Sequence, residues 1–371
     1  MNFAETQAAT IWLADDLNTD QRWIFNLDDK ARAHLSQMVK KVFDPEKTLF
    51  DYQRADFDLG PAAPVITAAF DEATRVRGLS LIRGLPRDGL AEEEFRVLSW
   101  AIGQNMGVGR PQGKSSQYMS EVRNIGTDYR SATGRGYSSS AKLDFHTDSC
   151  DVVGLSCYNQ AISGGMSMVT SSASAYLAMQ REAPELLEWL HVPVHFSRQG
   201  EQAADEAPSY PHPIFDVAEG RLFSRWNRNR VTAGQKLEGV SQIGAKHLEA
   251  LEWFDALLRR PGLMYTMYLQ PGDMQLLNSH VNLHARTDFV DHEEAARKRL
   301  LFRLWLSTPD SVRLPESWRV QYREVAPGTV RGGIFGLQYD DRCREFEKRQ
   351  AEAVGMKQQQ FHGCLITNGK Q

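Results

Sequence analysis

The stretch Leu143-Asp-Phe-His-Thr-Asp148 sets an imidazole and a carboxylate two residues apart. In a strand, residues i and i+2 point to the same face, so His146 and Asp148 lie side by side if this segment is extended. A short piece of backbone then offers two metal ligands of different hardness. A lone His-x-Asp pair is a weak signal, and its ordinary alternative is a hydrogen-bonded histidine at a strand end followed by a turn or cap aspartate.

A third ligand has to come from another part of the chain. The best candidate is His284, in the segment Asn278-Ser-His-Val-Asn-Leu-His-Ala-Arg286. Two histidines and one carboxylate on one face of an ion, with open positions opposite, form the facial triad of non-haem Fe(II) oxygenases. His146, Asp148 and His284 are therefore the candidate metal ligands and the candidate catalytic centre.

The composition is that of an ordinary globular protein. The chain has 371 residues, of which 42% are hydrophobic and 24% charged, and its formal net charge is −4. These values provide material for a core and give no sign of a nucleic-acid partner. No apolar run approaches the roughly 18 residues of a membrane span, and the N-terminus lacks the pattern of a secretory signal. We therefore expect a cytoplasmic protein that acts on a small molecule, without a nucleic-acid or membrane partner. Homo-oligomer formation stays open.

The four cysteines stand at 150, 157, 343 and 364, and none belongs to a Cys-x-x-Cys pair. This spacing speaks against a disulfide framework and against a zinc site. Small buried thiols are the better interpretation.

Short strands separated by turn signals run from about 143 to 306, with helical patterns before and after them. Pro271-Gly272 occupies the two central positions that a type II turn prefers, and Leu300-Leu-Phe-Arg-Leu-Trp-Leu306 forms the last apolar strand. The pattern predicts an α+β, mainly β fold with a double-stranded β-helix core, a cupin-like jelly roll, and helices packed around it. We expect a single catalytic domain over 1–371, with an N-terminal helical and strand portion over about 1–110, the jelly-roll core over about 111–310 and a C-terminal extension over about 311–371.

Two segments show little periodicity. Residues 110–142 are rich in Ser, Gly, Lys and Arg, with Tyr118, Tyr129 and Tyr137 interleaved, and they lead directly to His146. A lid over the site and a solvated surface loop are equally good interpretations. Residues 196–222 form a second polar excursion. Both segments are candidates for setting specificity.

An ordered set of motifs carries a family resemblance. His146-x-Asp148, Gly164-Gly-x-Ser167, Pro271-Gly-Asp273, Leu283-His-Ala-Arg286 and Arg299-x-x-x-Arg303-Leu-Trp occur in this order. The set resembles the taurine/2,4-dichlorophenoxyacetate dioxygenase family, whose members are Fe(II)- and 2-oxoglutarate-dependent enzymes on a double-stranded β-helix. The likeness runs from about Gly78 to Leu306.

The resemblance implies roles for particular residues. It makes His146, Asp148 and His284 the iron ligands, and it places Arg299, fifteen residues after His284, against the distal carboxylate of 2-oxoglutarate. A guanidinium suits that role because it binds a carboxylate through two parallel hydrogen bonds. Ser167 stands where many members have a threonine that contacts the same carboxylate, and Met166 replaces an acidic residue common before it.

Arg303 matches the position where several relatives bind an anionic group of the substrate. It could instead contact 2-oxoglutarate or form a buried structural pair. Asn278 is expected to hydrogen-bond near the metal and the co-substrate. Trp226 and Tyr118 are candidate substrate contacts, although a core position is as good an interpretation for Trp226. His280 is expected to be a wall residue or a residue that supports the ligands, rather than a ligand itself.

The implied activity is an oxidoreductase reaction with Fe(II), 2-oxoglutarate and O2. A C–H bond of a small organic substrate would be oxidised, most simply by hydroxylation, with release of succinate and CO2, and the substrate would carry an anionic group if Arg303 faces it. The carboxylate of Asp148 argues against halogenation, because halogenating relatives have a small residue there. Desaturation, demethylation or epoxidation on the same scaffold stays an alternative, and so does a non-enzymatic cupin-like metal- or ligand-binding protein.

Overall fold

The computed structural model describes residues 3–126 and 138–359. In this part of the chain the fold is mixed α/β, with a seven-stranded sheet and a four-stranded sheet. The larger sheet is built from seven strands: Ile24–Asn26, Leu79–Arg83, Val108–Gly109, Met119–Val122, Val152–Asn159, Met274–Asn278 and Leu300–Ser307. The smaller sheet is built from Leu143–His146, Ser167–Ser171, Met264–Met267 and Asn282–Arg286. Three two-stranded ribbons complete the set: Ser163–Gly164 with Phe289–Val290, Val194–Ser197 with Ser209–His212, and Phe215–Ala218 with Arg221–Ser224.

The predicted last strand lies inside the larger sheet. Leu300–Ser307 pairs antiparallel with Val152–Asn159 on one side and with Met119–Val122 on the other. Met274–Asn278 continues the sheet on the far side of Val152–Asn159 and connects it to Leu79–Arg83. All eight residues of Leu300–Ser307 are buried, which explains the almost unbroken apolar run in the sequence.

The alternation of side chains along this strand defines the layers of the molecule. Leu300, Phe302 and Leu304 belong to a cluster formed with the helices that cover the larger sheet. Leu301 and Trp305 belong instead to a cluster that also contains Val169 from the smaller sheet. Because successive residues point to opposite faces, Arg303 shares the face of Leu301 and Trp305, toward the space between the two sheets.

The smaller sheet shows the same division. Phe145, Leu283 and Ala285 pack in a third cluster with helical residues on the outer side of this sheet. By alternation, His146 and His284 point inward. The sequence therefore places both candidate histidines in the same interior space as Arg303.

Helices surround the sheets, and three of them begin directly after a capping aspartate or serine. Asp28 caps the helix Asp29–Val42, Ser171 caps Ser172–Glu182, and Asp340 caps Asp341–Val354, since side-chain oxygens satisfy free N–H groups in the first turn. The α-helices are Phe3–Thr6, Ala14–Thr19, Asp29–Val42, Ala63–Arg75, Glu92–Met106, Ser172–Glu182, Pro184–Leu187, Arg228–Gly234, Ala245–Leu257, Arg319–Tyr322 and Asp341–Val354. Among the described residues, no helix combines the length and the apolar character needed to cross a bilayer.

The two segments of low periodicity are more ordered than predicted. Met119–Val122, inside the supposed loop 110–142, is a strand of the larger sheet, and residues 127–137, including Tyr129 and Tyr137, lie outside the described residues. The excursion 196–222 contributes to both two-stranded ribbons between Val194 and Ser224. Cys150, Cys157 and Cys343 are buried free thiols, as expected, and Cys364 lies outside the described residues.

Candidate active site between the two sheets

Backbone pairing brings the two histidines together. His284 and His146 are directly opposite each other where Asn282–Arg286 pairs with Leu143–His146. On its other side, the His-x-Asp segment is held by residues 225–227: Thr147 N–H donates to the Trp226 carbonyl at 2.9 Å, and His146 forms an isolated bridge with Asn227. These two pairings fix the backbone on both sides of the candidate ligands.

The three candidate ligands form one compact cluster. Nε2 of His146 lies 3.9 Å from Oδ1 of Asp148, and Nε2 of His284 lies 3.7 Å from Oδ2 of the same carboxylate. The imidazole centroids are 4.2 Å apart, and one ligand atom of each residue lies within 4.8 Å of the others. Ligand atoms bound at about 2.1 Å to one ion are about 3 to 4 Å apart, so a small inward movement of these side chains makes a coordination site.

The protonation states suit a metal ion. Nδ1 of His146 lies 2.9 Å from the Asp144 carbonyl, which only accepts hydrogen bonds, so Nδ1 carries the proton and Nε2 keeps its lone pair. Burial lowers the pKa of His146, and burial together with the nearby His146 lowers the pKa of His284 to about 3. Both rings are neutral at pH 7.

The carboxylate is charged in spite of its position. Burial would raise the pKa of Asp148, but Arg303, whose Nη1 is 3.9 Å from Oδ1, and the other groups around the carboxylate together outweigh burial, and the pKa is lowered. Oδ2 of Asp148 and Nδ1 of His284 have no hydrogen-bond partner among the described residues. A buried, ionised oxygen without a partner is costly, and a bound cation removes that cost.

One cavity joins these histidines to Arg299. It is lined by His146, His284, Ser167, Arg299 and Arg303, and otherwise by apolar and small residues: Val122, Leu143, Leu155, Gly165, Leu269, Ala285 and Leu301, with Arg286 at one side. Arg299 is 6% exposed, its guanidinium lies over the Phe289 ring, and its Nη1 has no hydrogen-bond partner in the described ranges. Burial lowers the pKa of Arg299 to about 10, so it is still protonated at pH 7 and needs an anion.

Two small residues shape the wall near Arg299. Gly165 has φ +71°, and a Cβ there would stand 3.0 Å from Nε of Arg299. The Ser167 hydroxyl donates to Oε1 of Gln275 at 3.0 Å. Gln275 was not expected from the sequence, because one glutamine in an apolar strand gives no distinctive signal. It lies fully buried beside the predicted co-substrate contact.

Arg303 stands on a wall shared by two cavities. It lines the cavity of Arg299 and also a second cavity next to His146 and Asp148. Nε donates to Oε1 of Gln112 at 2.9 Å, and the guanidinium packs on the Trp305 ring. This position fits the predicted contact with a substrate anion. The distance of 3.9 Å from Nη1 to Oδ1 of Asp148 also fits the alternative, a buried structural pair of Arg303 with Asp148.

Three predicted site residues lie elsewhere. Asn278 accepts a hydrogen bond from the His280 backbone N–H within its own turn and lines cavities remote from the metal ligands. The Trp226 ring does not line the cavities at the histidines but packs against Phe254 in the core. Tyr118 donates to Glu347 at 2.5 Å and packs between aromatic rings. In the described residues none of the three lines either cavity at the histidines, because each is held by the core or by a turn.

His280 is a buried support, as expected. Its Nε2 lies 2.9 Å from Oδ1 of Asp151, and the same carboxylate oxygen accepts from Nε of Arg331 at 2.8 Å. This network connects the turn before His284 to the segment after Asp148. His280 therefore supports the backbone next to the ligands and is not itself one of the ligands.

Arg225 lies directly after the strand Arg221–Ser224, next to the His-x-Asp segment. Its Nη1 donates to the Thr147 carbonyl at 2.8 Å and its Nη2 to Oγ of Ser149 at 3.0 Å. The guanidinium thus holds the residues on both sides of Asp148.

The family is now clear from comparison. The model of the taurine catabolism dioxygenase TauD, TfdA family matches residues 44–305, which includes the smaller sheet, most of the larger sheet and all three candidate ligands. The chain belongs to this family of Fe(II)- and 2-oxoglutarate-dependent dioxygenases, and the protein is an oxidoreductase.

Individual relatives agree with this membership. The chain is 30% identical over 312 residues to FR-33289 synthase of Streptomyces rubellomurinus, covering 83% of this chain and 92% of that protein. Among solved structures, asparagine oxygenase in complex with Fe(II), 2S,3S-3-hydroxyasparagine and succinate superposes with a TM-score of 0.60 at 16% identity, covering 80% of this chain and 98% of that one. The non-heme iron oxygenase OrfP, in complex with Fe, succinate and (3S)-hydroxy-L-Arg, gives 0.55 at 13% identity over 79% and 98%. These structural matches support the fold.

Proposed function

We propose that the protein hydroxylates a C–H bond of a small anionic molecule, with Fe(II) held by His146, Asp148 and His284 and with 2-oxoglutarate anchored by Arg299. The observation that carries this proposal is the single cavity lined by both histidines and by a buried arginine whose Nη1 has no hydrogen-bond partner in the described residues. A metal-binding protein without a co-substrate has no need for that arginine.

The ligand set supports iron rather than zinc. Two neutral imidazoles and one carboxylate match the facial triad with open positions. The carboxylate has an unpartnered oxygen, and the Asp144 carbonyl fixes the tautomer of His146. These features prepare three lone pairs in one place before any ion arrives.

Arg299 supports the co-substrate assignment. Its guanidinium is buried, protonated and held in place by Phe289 and by its own backbone N–H, which donates to Asp291 at 2.6 Å. A carboxylate placed against it gains charge-assisted hydrogen bonds in a water-poor space. The leucines of the same cavity suit the methylene groups of a 2-oxo diacid. Ser167 is the further proposed contact, which requires its hydroxyl to turn from Gln275 toward that carboxylate.

When bound, Fe(II) and 2-oxoglutarate supply the oxidising chemistry with O2 and release succinate and CO2. The chain supplies position and exclusion of water. Arg303 orients an anionic substrate group in the second cavity, beside the ligands, so that a C–H bond of the same molecule faces the open side of the triad. Hydroxylation is the simplest outcome of that placement.

The wider architecture is proposed on the same grounds. We take the facing seven- and four-stranded sheets to be a double-stranded β-helix, and the chain to be one catalytic domain, because strands from the N-terminal portion extend the same sheet that contains Leu300–Ser307.

The first experiment is an anaerobic titration with Fe(II) and then 2-oxoglutarate. A weak visible charge-transfer band of the iron–2-oxo acid chelate is expected. The band should be lost in His146→Ala and should need more 2-oxoglutarate in Arg299→Ala, while Arg181→Ala, which removes an exposed arginine, behaves like the wild type. If iron binds and no band develops, the enzyme assignment gives way to a cupin-like binding protein.

Arg303 is tested separately. Arg303→Leu is expected to raise the KM for substrate far more than the KM for 2-oxoglutarate. Equal effects on both constants would contradict a substrate contact.

A further inference from the structure

The second cavity beside the metal ligands is strongly basic. Four arginines line it, together with His146 and Asp148: Arg225, Arg228, Arg230 and Arg303. Three of them follow one another within six residues, in the strand-to-helix segment that pairs with the His-x-Asp backbone. The position of this segment therefore places several positive charges next to His146 and Asp148.

Two of the four arginines, Arg225 and Arg228, each keep one guanidinium nitrogen without a hydrogen-bond partner among the described residues. Arg225 is 2% exposed, its guanidinium donates to neutral oxygens of Thr147, Ser149 and Tyr210, and its Nε has no hydrogen-bond partner in the described part of the chain. Arg228 has a carboxylate only at 3.8 Å, from the exposed Glu252, and its buried Nη1 has no hydrogen-bond partner there. Arg230 is paired with Glu201 at 2.8 Å.

The acidic groups of the cavity are already engaged. Among the described lining residues the carboxylates are Asp144 and Asp148. Asp144 pairs with Arg259 at 2.8 Å, and Asp148 belongs to the metal site. No described carboxylate of the lining is left to receive an ammonium group, whereas unsatisfied guanidinium groups are left to receive anions.

The remaining polar lining consists of neutral hydrogen-bonding groups. Gln199, Asn227 and Asn229 supply amides, and Thr147 and Ser149 supply hydroxyls. Gln199 has φ +54°, a left-handed conformation that is strained for a residue with a side chain. Such strain is concentrated at binding sites, where the surroundings maintain it.

From these charges we infer that the substrate is a small organic dianion without a free ammonium group, held by Arg228 and Arg303 in the field of the buried Arg225. The inference rests on the proposed function and narrows its substrate class. It separates this protein from the asparagine and arginine derivatives bound by its structural neighbours, which carry an amino group. A phosphonate and a dicarboxylate both satisfy this chemistry.

The test uses matched probes on the anaerobic protein with Fe(II) and 2-oxoglutarate. Propylphosphonate above its second ionisation and adipate are dianions, propane-1-sulfonate is a monoanion, and 3-aminopropylphosphonate adds an ammonium group. Binding is followed as a change in the charge-transfer band and gives a Kd for each probe. At least one dianion is expected to bind about tenfold or more tightly than the sulfonate and the amine. Tighter propylphosphonate indicates a tetrahedral oxyanion, and tighter adipate indicates a dicarboxylate.

Two arginine variants distinguish binding in this cavity from a general effect of the protein's charge. Arg228 is half-buried and suited to substitution, and Arg228→Gln should weaken binding of the preferred dianion about tenfold while leaving the Kd of 2-oxoglutarate unchanged. Arg181→Gln removes the same charge from an exposed site and should change neither value. Equal binding of dianion and monoanion, preference for the amine, or an Arg228→Gln variant that binds like the wild type would each overturn the inference.

The two proposals fail in different ways. A band that develops but does not respond to any dianion contradicts the substrate class alone. A missing band contradicts the proposed function, and calorimetric titration of the metal-free protein with propylphosphonate and propane-1-sulfonate then decides the dianion inference by itself.

Discussion

At the scale of single residues, the site depends on side chains that never touch a reactant. Arg225 is such a residue, because it donates to Thr147 and Ser149 and so holds the backbone on both sides of Asp148. Partners of this kind orient metal ligands, and losing one typically costs about 10- to 100-fold in metal affinity. We regard Arg225 as a positioning residue for the iron site.

We expect Arg225→Met to weaken Fe(II) binding by about 10-fold or more, and Arg225→Lys to restore part of it through one hydrogen bond. Arg198→Met is the matched control, since Arg198 is also buried and hydrogen-bonded, to Gln321 and Val320, but lies outside the cavity. Both methionine variants should lose thermal stability, and only the first should lose iron affinity. Equal iron affinities in folded Arg225→Met and Arg198→Met would contradict the role.

His212 gives a prediction about pH. Its Nδ1–H donates to the Pro213 carbonyl at 2.6 Å, and its Nε2 is buried without a partner in the described residues. Burial lowers the pKa of His212 to about 3, against about 6.5 in an unfolded chain. Between these values the unfolded state binds a proton that the folded state does not. This contribution to stability is thus complete above about pH 6.5 and is lost as pH falls toward 3.

The expected slope is about 1.4 kcal/mol per pH unit within that window. His212→Phe should be less stable at pH 7, because the hydrogen bond to Pro213 is lost, but its free energy of unfolding should fall less steeply from pH 6 to pH 4. Urea unfolding at each pH measures both. Parallel curves for the two proteins would show that His212 does not titrate in this way.

Some site residues can be predicted from local sequence motifs, whereas others come together only through the fold. His146 and His284 meet because their strands pair, and Asp148 follows two residues after His146, just beyond the end of its strand. Asn278, expected to hydrogen-bond near the metal, lies elsewhere because its side chain accepts a hydrogen bond within its own turn. The arginines after Trp226 carry no periodic pattern, and their convergence on the cavity depends on a strand pairing that only the fold reveals.

At the scale of elements, the Gly164-Gly165 turn controls Arg299. Gly165→Ala adds a Cβ 3.0 Å from Nε of Arg299, at φ +71°. Gly262 offers a matched control, since it has φ +87° and open space around its Cβ position. Both alanine variants carry the conformational strain of about 1 kcal/mol, and only Gly165→Ala should displace the guanidinium.

We therefore expect Gly165→Ala to raise the Kd of 2-oxoglutarate several-fold and Gly262→Ala to leave it unchanged, with similar losses in Tm. The charge-transfer titration measures the Kd. A similar Kd in both variants would mean that the turn does not position Arg299.

Element prediction succeeds where the pattern is strong and fails where a strand is short and isolated. The helix starts at Asp29, Ser172 and Asp341 follow from their capping residues. Met119–Val122 escapes prediction because four residues with one serine and one glutamate show no clear alternation. Its pairing with Leu300–Ser307 supplies the stabilisation that the local sequence lacks.

At the scale of the whole molecule, a buried carboxylate helps to join the helix Asp341–Val354 to the larger sheet. Glu347 is buried and accepts from Tyr118 at 2.5 Å and Tyr339 at 2.8 Å, and Nη1 of Arg110 lies 2.8 Å away. Arg110 is fully buried, so its charge depends on Glu347. This long-range contact is invisible in the sequence, where the helix is only a charged amphipathic segment.

Glu347→Gln keeps the shape of the side chain and removes the charge. We expect a loss of about 3–5 kcal/mol in the free energy of unfolding, as for other broken buried pairs, whereas Glu345→Gln, on the exposed side of the same helix, should change it by less than about 0.5 kcal/mol. Denaturant unfolding measures both values. A Glu347→Gln protein as stable as the Glu345→Gln protein would refute the importance of this contact.

The direct pairing of His284 with His146 has one more consequence. Leu143–His146 is a four-residue strand at the edge of its sheet, held on its outer side only by the isolated bridge from His146 to Asn227, and such short edges open most readily. An ion shared by the two histidines acts as a cross-link between adjacent strands. Binding of iron would then stabilise the folded edge strand as well as prepare the site for chemistry. Removal of the iron by a chelator would loosen the backbone around His146 and Asp148.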